Sequence, residues 1–124
     1  MRNALFVFVG GGVGSVLRYL LSLYIPAVSG FPMATFLVNV VGCFLIGWLM
    51  GHLSTSVNDT TLSIYPFLLV SGFCGGFTTF STVSLENIKL LQQQQIGLSL
   101  LYISLSLLAC LLATGLGYAL LKFR

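Results

Sequence analysis

Hydroxyl side chains are concentrated in one short stretch of a very apolar chain. Residues 72–84 read GFCGGFTTFSTVS, and the hydroxyl residues in it are Thr78, Thr79, Ser81, Thr82 and Ser84. A hydroxyl group donates a hydrogen bond, and the electropositive edge of a phenyl ring such as that of Phe80 can face an anion. The stretch is therefore typical of a site that binds a small anion.

A second set of polar residues recurs at every fourth position of the last apolar segment, at Tyr102, Ser106, Cys110 and Thr114. This spacing places side chains on one face of a helix. Polar groups within a membrane are costly and tend to face a pathway. The stripe predicts the lining of a route, and the alternative is a seam of hydrogen bonds between helices.

Arg18 and Asn39 are further donors within apolar segments. Arg18 is predicted to face a water-filled vestibule, or alternatively to extend to the lipid headgroups. Asn39 offers two amide N–H groups, either to an anion or to a neighbouring helix. Carboxylates are nearly absent, since Asp59 lies in a predicted loop and Glu86 at a predicted helix end. These donors therefore favour an anion.

The histidine, the cysteines and the number of basic residues argue against an enzyme and against a nucleic-acid partner. His52 is the only histidine and lies at a predicted helix boundary, so no set of nucleophile, histidine and acid can form. Cys43, Cys74 and Cys110 are far apart in sequence, which predicts small core residues rather than a disulfide framework or a metal site. Five basic residues are too few for a nucleic-acid-binding surface.

The glycines of the hydroxyl-rich stretch predict a break in a helix. Gly72, Gly75 and Gly76 tolerate backbone angles that other residues resist, so we expect a break near Gly72–Thr79. A break at membrane depth frees carbonyl groups, which need buried partners, ions or water. Freed carbonyls can bind a cation, as they do in transporters with unwound helices.

These residues must be positioned by membrane-spanning helices. Of the 124 residues, 57% are hydrophobic and 6% are charged, whereas about 25% of a soluble domain is charged. A helix needs about 20 apolar residues to cross a bilayer. We therefore predict an all-α membrane protein in which residues 1–124 form a single domain. Its four transmembrane helices are Ala4–Ile25, Met33–Leu53, Leu62–Leu85 and Ile96–Leu121.

Basic residues orient these helices only weakly. Four spans put both termini on one side, together with Arg2, Lys122 and Arg124, while Lys89 and Arg18 lie toward the other. Lys/Arg bias sets orientation, so this small difference leaves two alternatives. The chain adopts one orientation, or it inserts both ways and forms an antiparallel homodimer. Four helices make a thin bundle, and we expect a polar pathway to need a second copy.

Three motifs resemble a known family. GGGVGSVLRY at 10–19, TFLVNVVGCFLIG at 35–47 and GFCGGFTTFSTVS at 72–84 are similar to the Fluc or CrcB fluoride channels. The resemblance extends over the whole chain. It implies a dual-topology homodimer, surrounded by lipid in the inner membrane of a prokaryote, that exports fluoride passively and reduces fluoride toxicity. It also implies a structural sodium ion bound by the backbone carbonyls of Gly75 and Thr78.

The resemblance further implies which residues fluoride passes. They are Arg18 near the vestibule, Asn39, the segment Phe80–Ser84, and the fourth-helix residues Tyr102, Ser106 and Thr114. The chain departs from the family at Val83, where the family has a second phenylalanine. Valine has no electropositive ring edge, so we expect slower conduction.

Two other functions are alternatives to a fluoride channel. A proton-coupled exporter resembling the small multidrug transporters needs a carboxylate in its first helix, and residues 4–25 contain none. A structural membrane subunit without transport would leave the donor cluster and the polar stripe unexplained.

Overall fold

A computed structural model describes residues 1–55 and 64–122 of the chain. Its elements are helix α1 (Arg2–Tyr24), helix α2 (Met33–Thr55), a π-helical segment (Pro66–Cys74), the short helix α3 (Gly75–Phe77), helix α4 (Phe80–Gln92) and helix α5 (Ile96–Lys122). An isolated bridge between Val28 and Phe31 closes the turn between α1 and α2. The described residues form no strand, so the predicted all-α class is confirmed.

Within the described residues, four helical spans are long and apolar enough to cross a membrane: Arg2–Tyr24, Met33–Leu53, Pro66–Gln92 and Ile96–Leu120. This confirms the predicted number of transmembrane helices. The predicted start of the third helix at Leu62 lies outside the described residues, as do Asp59, Arg124 and the residues 56–61 of the second predicted loop. The third span continues to Gln92 and not only to Leu85, so the prediction that Glu86 lies at a helix end is wrong.

The third span is interrupted at Thr78 and Thr79, within the range predicted for a break. Both residues are extended, with φ −80° and ψ 153° at Thr78 and φ −153° and ψ 116° at Thr79. The π-helical segment before them is itself a departure from regular α-helix. The interruption leaves backbone groups at membrane depth without their usual helical partners.

The glycines before the break have a different role from the one predicted. Gly30 is the only glycine with a positive φ among the described residues, so Gly72, Gly75 and Gly76 adopt no angle reserved for glycine. At Gly76 a Cβ atom would overlap the backbone of Gly11, so this glycine allows α1 to approach the third span. The close approach, and not the backbone angle, requires glycine there.

Small residues also hold the helices together in pairs. A Cβ atom at Gly14 would lie 2.8 Å from the Phe77 nitrogen, where α1 packs against the third span. A Cβ atom at Gly117 would lie 2.8 Å from the Trp48 nitrogen, where α5 packs along α2. Close backbone contact of this kind is typical of helices packed in a membrane.

Apolar side chains cover the outside of the bundle. Phe8 on α1 is 79% exposed and Leu112 on α5 is 67% exposed. The buried cluster inside is small and consists of Val83, Leu90 and Tyr102, with Phe31, Phe36 and Leu98 packed against it. The outer surface suits contact with lipid or with another protein chain.

Candidate ion pathway

The Asn39 side chain spans the break in the third helix. Its Nδ2 donates to the Thr79 carbonyl oxygen at 3.1 Å, and its Oδ1 accepts from the Thr79 N–H at 2.7 Å. This is the interhelical hydrogen bonding that was the alternative interpretation of Asn39. It uses one of the two amide N–H groups and leaves the other for a further partner.

Thr79 caps the N-terminus of α4, and its hydroxyl lies within hydrogen-bond distance of two neighbouring hydroxyls. Its Oγ1 accepts from the Thr82 N–H at 3.3 Å and lies 3.0 Å from Ser81 Oγ and 3.1 Å from Thr82 Oγ1. The Ser84 hydroxyl instead donates to the Phe80 carbonyl within the same helix. Three of the predicted hydroxyl donors therefore cluster at the N-terminus of α4, where the helix dipole is positive.

The Gly75 and Thr78 carbonyls lose their helical donors at the break. In a continuous helix they would accept from the N–H groups of Thr79 and Thr82. Here the Thr79 N–H donates to Asn39 and the Thr82 N–H to Thr79 Oγ1. Without these N–H donors, the two carbonyl oxygens fit a site in which they bind a cation.

Arg18 binds the carbonyl group of Gly76, which lies between Gly75 and Thr78 in sequence. Its Nε donates to the Gly76 carbonyl oxygen at 3.2 Å, and Ser15 Oγ donates to the same oxygen at 3.3 Å. The Arg18 side chain lines a cleft of about 490 Å³, together with Thr79, Thr82 and Lys89. The guanidinium keeps further N–H donors that this bond does not use.

Glu86 is a residue of this cleft that the sequence analysis missed. Its Oε1 accepts from Thr35 Oγ1 at 2.8 Å, and its Oε2 accepts from the Tyr102 hydroxyl at 2.6 Å. Tyr102 is fully buried. The signal that could have revealed this position is the spacing of Glu86, which follows Thr82 by four residues and therefore shares its helix face.

A second cavity, of about 370 Å³, lies between α2, the break and α5. Its lining residues are Asn39, Cys43, Thr78, Thr79, Phe80, Val83, Ile103, Ser106, Leu107 and Cys110. No carboxylate lines it among the residues that the structure describes. Donors and aromatic or apolar groups form this cavity, which is the chemistry of an anion site rather than a cation site.

Ser106 is the residue of this cavity with the least satisfied polar group. Its side chain is only 6% exposed, and its Oγ has no hydrogen-bond partner. Buried polar groups are almost always paired, and no described protein group pairs with this hydroxyl, so it is a donor that can face the cavity.

The predicted stripe on the last helix divides along its length. Ser106 and Cys110 line the second cavity. Tyr102 instead binds Glu86, and the backbone of Thr114 packs against Gly47. One predicted face of α5 therefore contacts three different surroundings.

Phe80 and Val83 belong to the apolar part of the second cavity. Phe80 is 74% exposed, and Val83 is 4% exposed within the cluster that contains Tyr102. Val83 thus lies between the buried cluster and the cavity, while the Phe80 side chain is largely uncovered.

Comparison with known proteins identifies similar chains. Residues 5–118 match the family described as CrcB-like protein, Camphor Resistance (CrcB). The fluoride-specific ion channel FluC of Flavobacterium psychrophilum is 46% identical over 98% of both chains. The FluC of Azobacteroides pseudotrichonymphae is 43% identical over 99% of this chain and 98% of its own. FluC 1 of Bacillus anthracis is 40% identical over 99% of this chain and 91% of its own.

Proposed function

The chain belongs to the CrcB-like family, and from this membership we propose that it is a channel that conducts fluoride across the membrane. The observation that carries the proposal is the second cavity, where the buried Ser106 hydroxyl has no partner and no described carboxylate lines the wall. Fluoride is small and strongly hydrated, so a pore must replace its water with donors.

Thr79 connects the two spaces that such an ion would pass, because it lines both the cleft and the second cavity. Fluoride enters the cleft beside Arg18, whose positive charge attracts anions. It then passes the hydroxyl cluster at the start of α4 and reaches the free amide N–H of Asn39 and the hydroxyl of Ser106. The edge of the Phe80 ring completes the set of electropositive groups.

A second copy of the chain completes this pathway. Phe80 is 74% exposed and lines the cavity. In lipid, the electropositive edge of its ring would have no anion to face, whereas a second chain could place that edge along an anion pathway. We propose an antiparallel homodimer with dual topology, situated in the inner membrane of a prokaryote, in which fluoride moves passively down its gradient.

The Gly75 and Thr78 carbonyls would hold a structural sodium ion in this dimer. Two carbonyls from each subunit provide four oxygens, which suit a hard monovalent cation. The ion supplies positive charge to the centre of the assembly. The diversion of the helical donors of both carbonyls to Asn39 and Thr79 supports this site.

Ion efflux from liposomes tests the proposed function. Purified protein is reconstituted with internal fluoride or chloride, and release is followed with an ion-selective electrode. We expect rapid fluoride release, little chloride release, and no dependence on a pH gradient. Transport that requires a proton gradient would support the exporter, and absence of any flux would support a structural subunit.

The variant Asn39→Ala removes an amide that both spans the break and faces the cavity, so its fluoride efflux should fall strongly. Asn87→Ala is the matched control. Asn87 is also a buried amide, and it binds the Val83 carbonyl and the Ser99 hydroxyl away from the cavity. Equal efflux from folded samples of both variants would contradict the assignment of Asn39.

A further inference from the structure

Two of the three cysteines, which lie far apart in sequence, come together on one cavity wall, where Cys43 of α2 and Cys110 of α5 both line the second cavity. Cys43 and Cys110 are half-buried and line the second cavity. Cys74 is 1% exposed and does not line it.

The packing of α2 along α5 explains why the Cys43 and Cys110 thiols meet. One turn before them, Asn39 and Ser106 face the same cavity. One turn after them, a Cβ atom at Gly47 would lie 3.0 Å from the Thr114 Cα, so the two backbones are in direct contact. A pair of thiols between these two levels is held at a constant separation by the helices on both sides.

We propose that Cys43 and Cys110 form a binding site for a soft, thiophilic divalent cation, and that its occupation closes the second cavity. Thiolate is the ligand that soft metals prefer. The described residues gather no group of three or more His, Cys, Asp or Glu side chains for a metal, so a four-ligand ion such as Zn²⁺ lacks its ligands. Mercuric ion needs only two thiolates.

Charge also favours a divalent ion with two thiolates. Each thiol releases its proton to water as its sulfur binds the metal, and the metal loses two of its water ligands without any electron transfer. The product carries no net charge, so it is compatible with a low-dielectric interior that penalises ions. The bound metal lies one turn from Asn39 and Ser106, across the space that the proposed anion pathway uses.

Binding is tested with mercuric chloride on the purified protein in detergent. We expect one mercury ion per chain, the loss of two thiols in a titration with a chromogenic disulfide reagent, and a near-ultraviolet absorbance band of mercury thiolate. Cys43→Ala and Cys110→Ala should each lose the tight site. Cys74→Ala is the matched control and should retain it, with Cys74→Ser as a second version of that control.

Fluoride efflux from liposomes tests the consequence. Mercuric ion should nearly abolish efflux from the wild-type protein and dithiothreitol should restore it, whereas Cys74→Ala should be inhibited like the wild type and mercuric ion should not change whatever efflux the double variant lacking both cavity thiols shows by itself. Tight binding that survives Cys110→Ala, or that disappears in Cys74→Ala, would overturn the site. Binding without loss of efflux would overturn the closure. Only the closure depends on the proposed function, because thiol titration reports the site even if the protein conducts no fluoride.

Discussion

Ser106→Ala separates a role in ion conduction from a role in folding. The Ser106 hydroxyl is buried and has no hydrogen-bond partner among the described protein groups. A buried polar group without a partner costs about 1–3 kcal/mol of desolvation. Removing it should therefore leave the free energy of unfolding unchanged or raise it by about 1 kcal/mol. A residue that served only in folding would not behave in this way.

Conduction should respond in the opposite direction. A hydrogen bond from a hydroxyl to an ionised partner is worth about 1.5–3 kcal/mol. Loss of that bond at the point where the ion is most dehydrated raises the barrier by a similar amount. We expect fluoride efflux to slow by about tenfold to a hundredfold, because each 1.36 kcal/mol changes a rate by about tenfold.

Ser99 provides the control, because it is an equally buried serine on the same helix. It is 4% exposed, and its Oγ donates to Asn87 Oδ1 at 2.8 Å. Ser99→Ala leaves that oxygen without its donor, so it should destabilise the protein by about 1–3 kcal/mol with little effect on efflux per folded channel.

Thermal unfolding in detergent and fluoride efflux from liposomes are measured for both serine variants. Ser106→Ala should unfold at or above the temperature of the parent and conduct poorly, and Ser99→Ala should show the reverse. The reasoning is refuted if Ser106→Ala destabilises the protein as much as Ser99→Ala while leaving the efflux rate unchanged.

Three further predictions concern the aromatic wall, the sodium ion and the orientation. Val83→Phe adds a ring edge beside a cavity of about 370 Å³, so fluoride efflux should speed up about fivefold, in line with about 1 kcal/mol for an aromatic contact; no gain in rate would contradict the ring-edge account. Thr78→Ser should keep sodium-dependent activity because the proposed ligand is a backbone carbonyl, whereas Gly75→Leu should lose it by filling the space that the proposed ion and partner subunit would need; efflux and dimer stability with and without sodium provide the test. Adding two or three lysines to one loop side should abolish fluoride efflux, and co-expression with an oppositely biased chain should restore it; full activity of one biased chain alone would show that dual topology is not required.

The sequence by itself determined the features that depend on local composition. Stretches of apolar residues long enough to cross a bilayer define the four spans, and the structure confirms them. The hydroxyl-rich stretch after three glycines predicts a break, and Thr78 and Thr79 are extended there. The family motifs are also local, because each is a continuous run of residues.

The tertiary structure decided which distant groups meet, since periodicity identifies a helix face but not the partner opposite it. Asn39 binds Thr79 across the break. From the sequence, its amide could serve an anion or a neighbouring helix, and only the structure identifies Thr79 as a partner. Glu86 accepts a hydrogen bond from the Tyr102 hydroxyl, and it does so from within the third span, which continues past Leu85. Cys43 and Cys110 are far apart in sequence, and both line the second cavity because small residues allow α2 and α5 to pack closely.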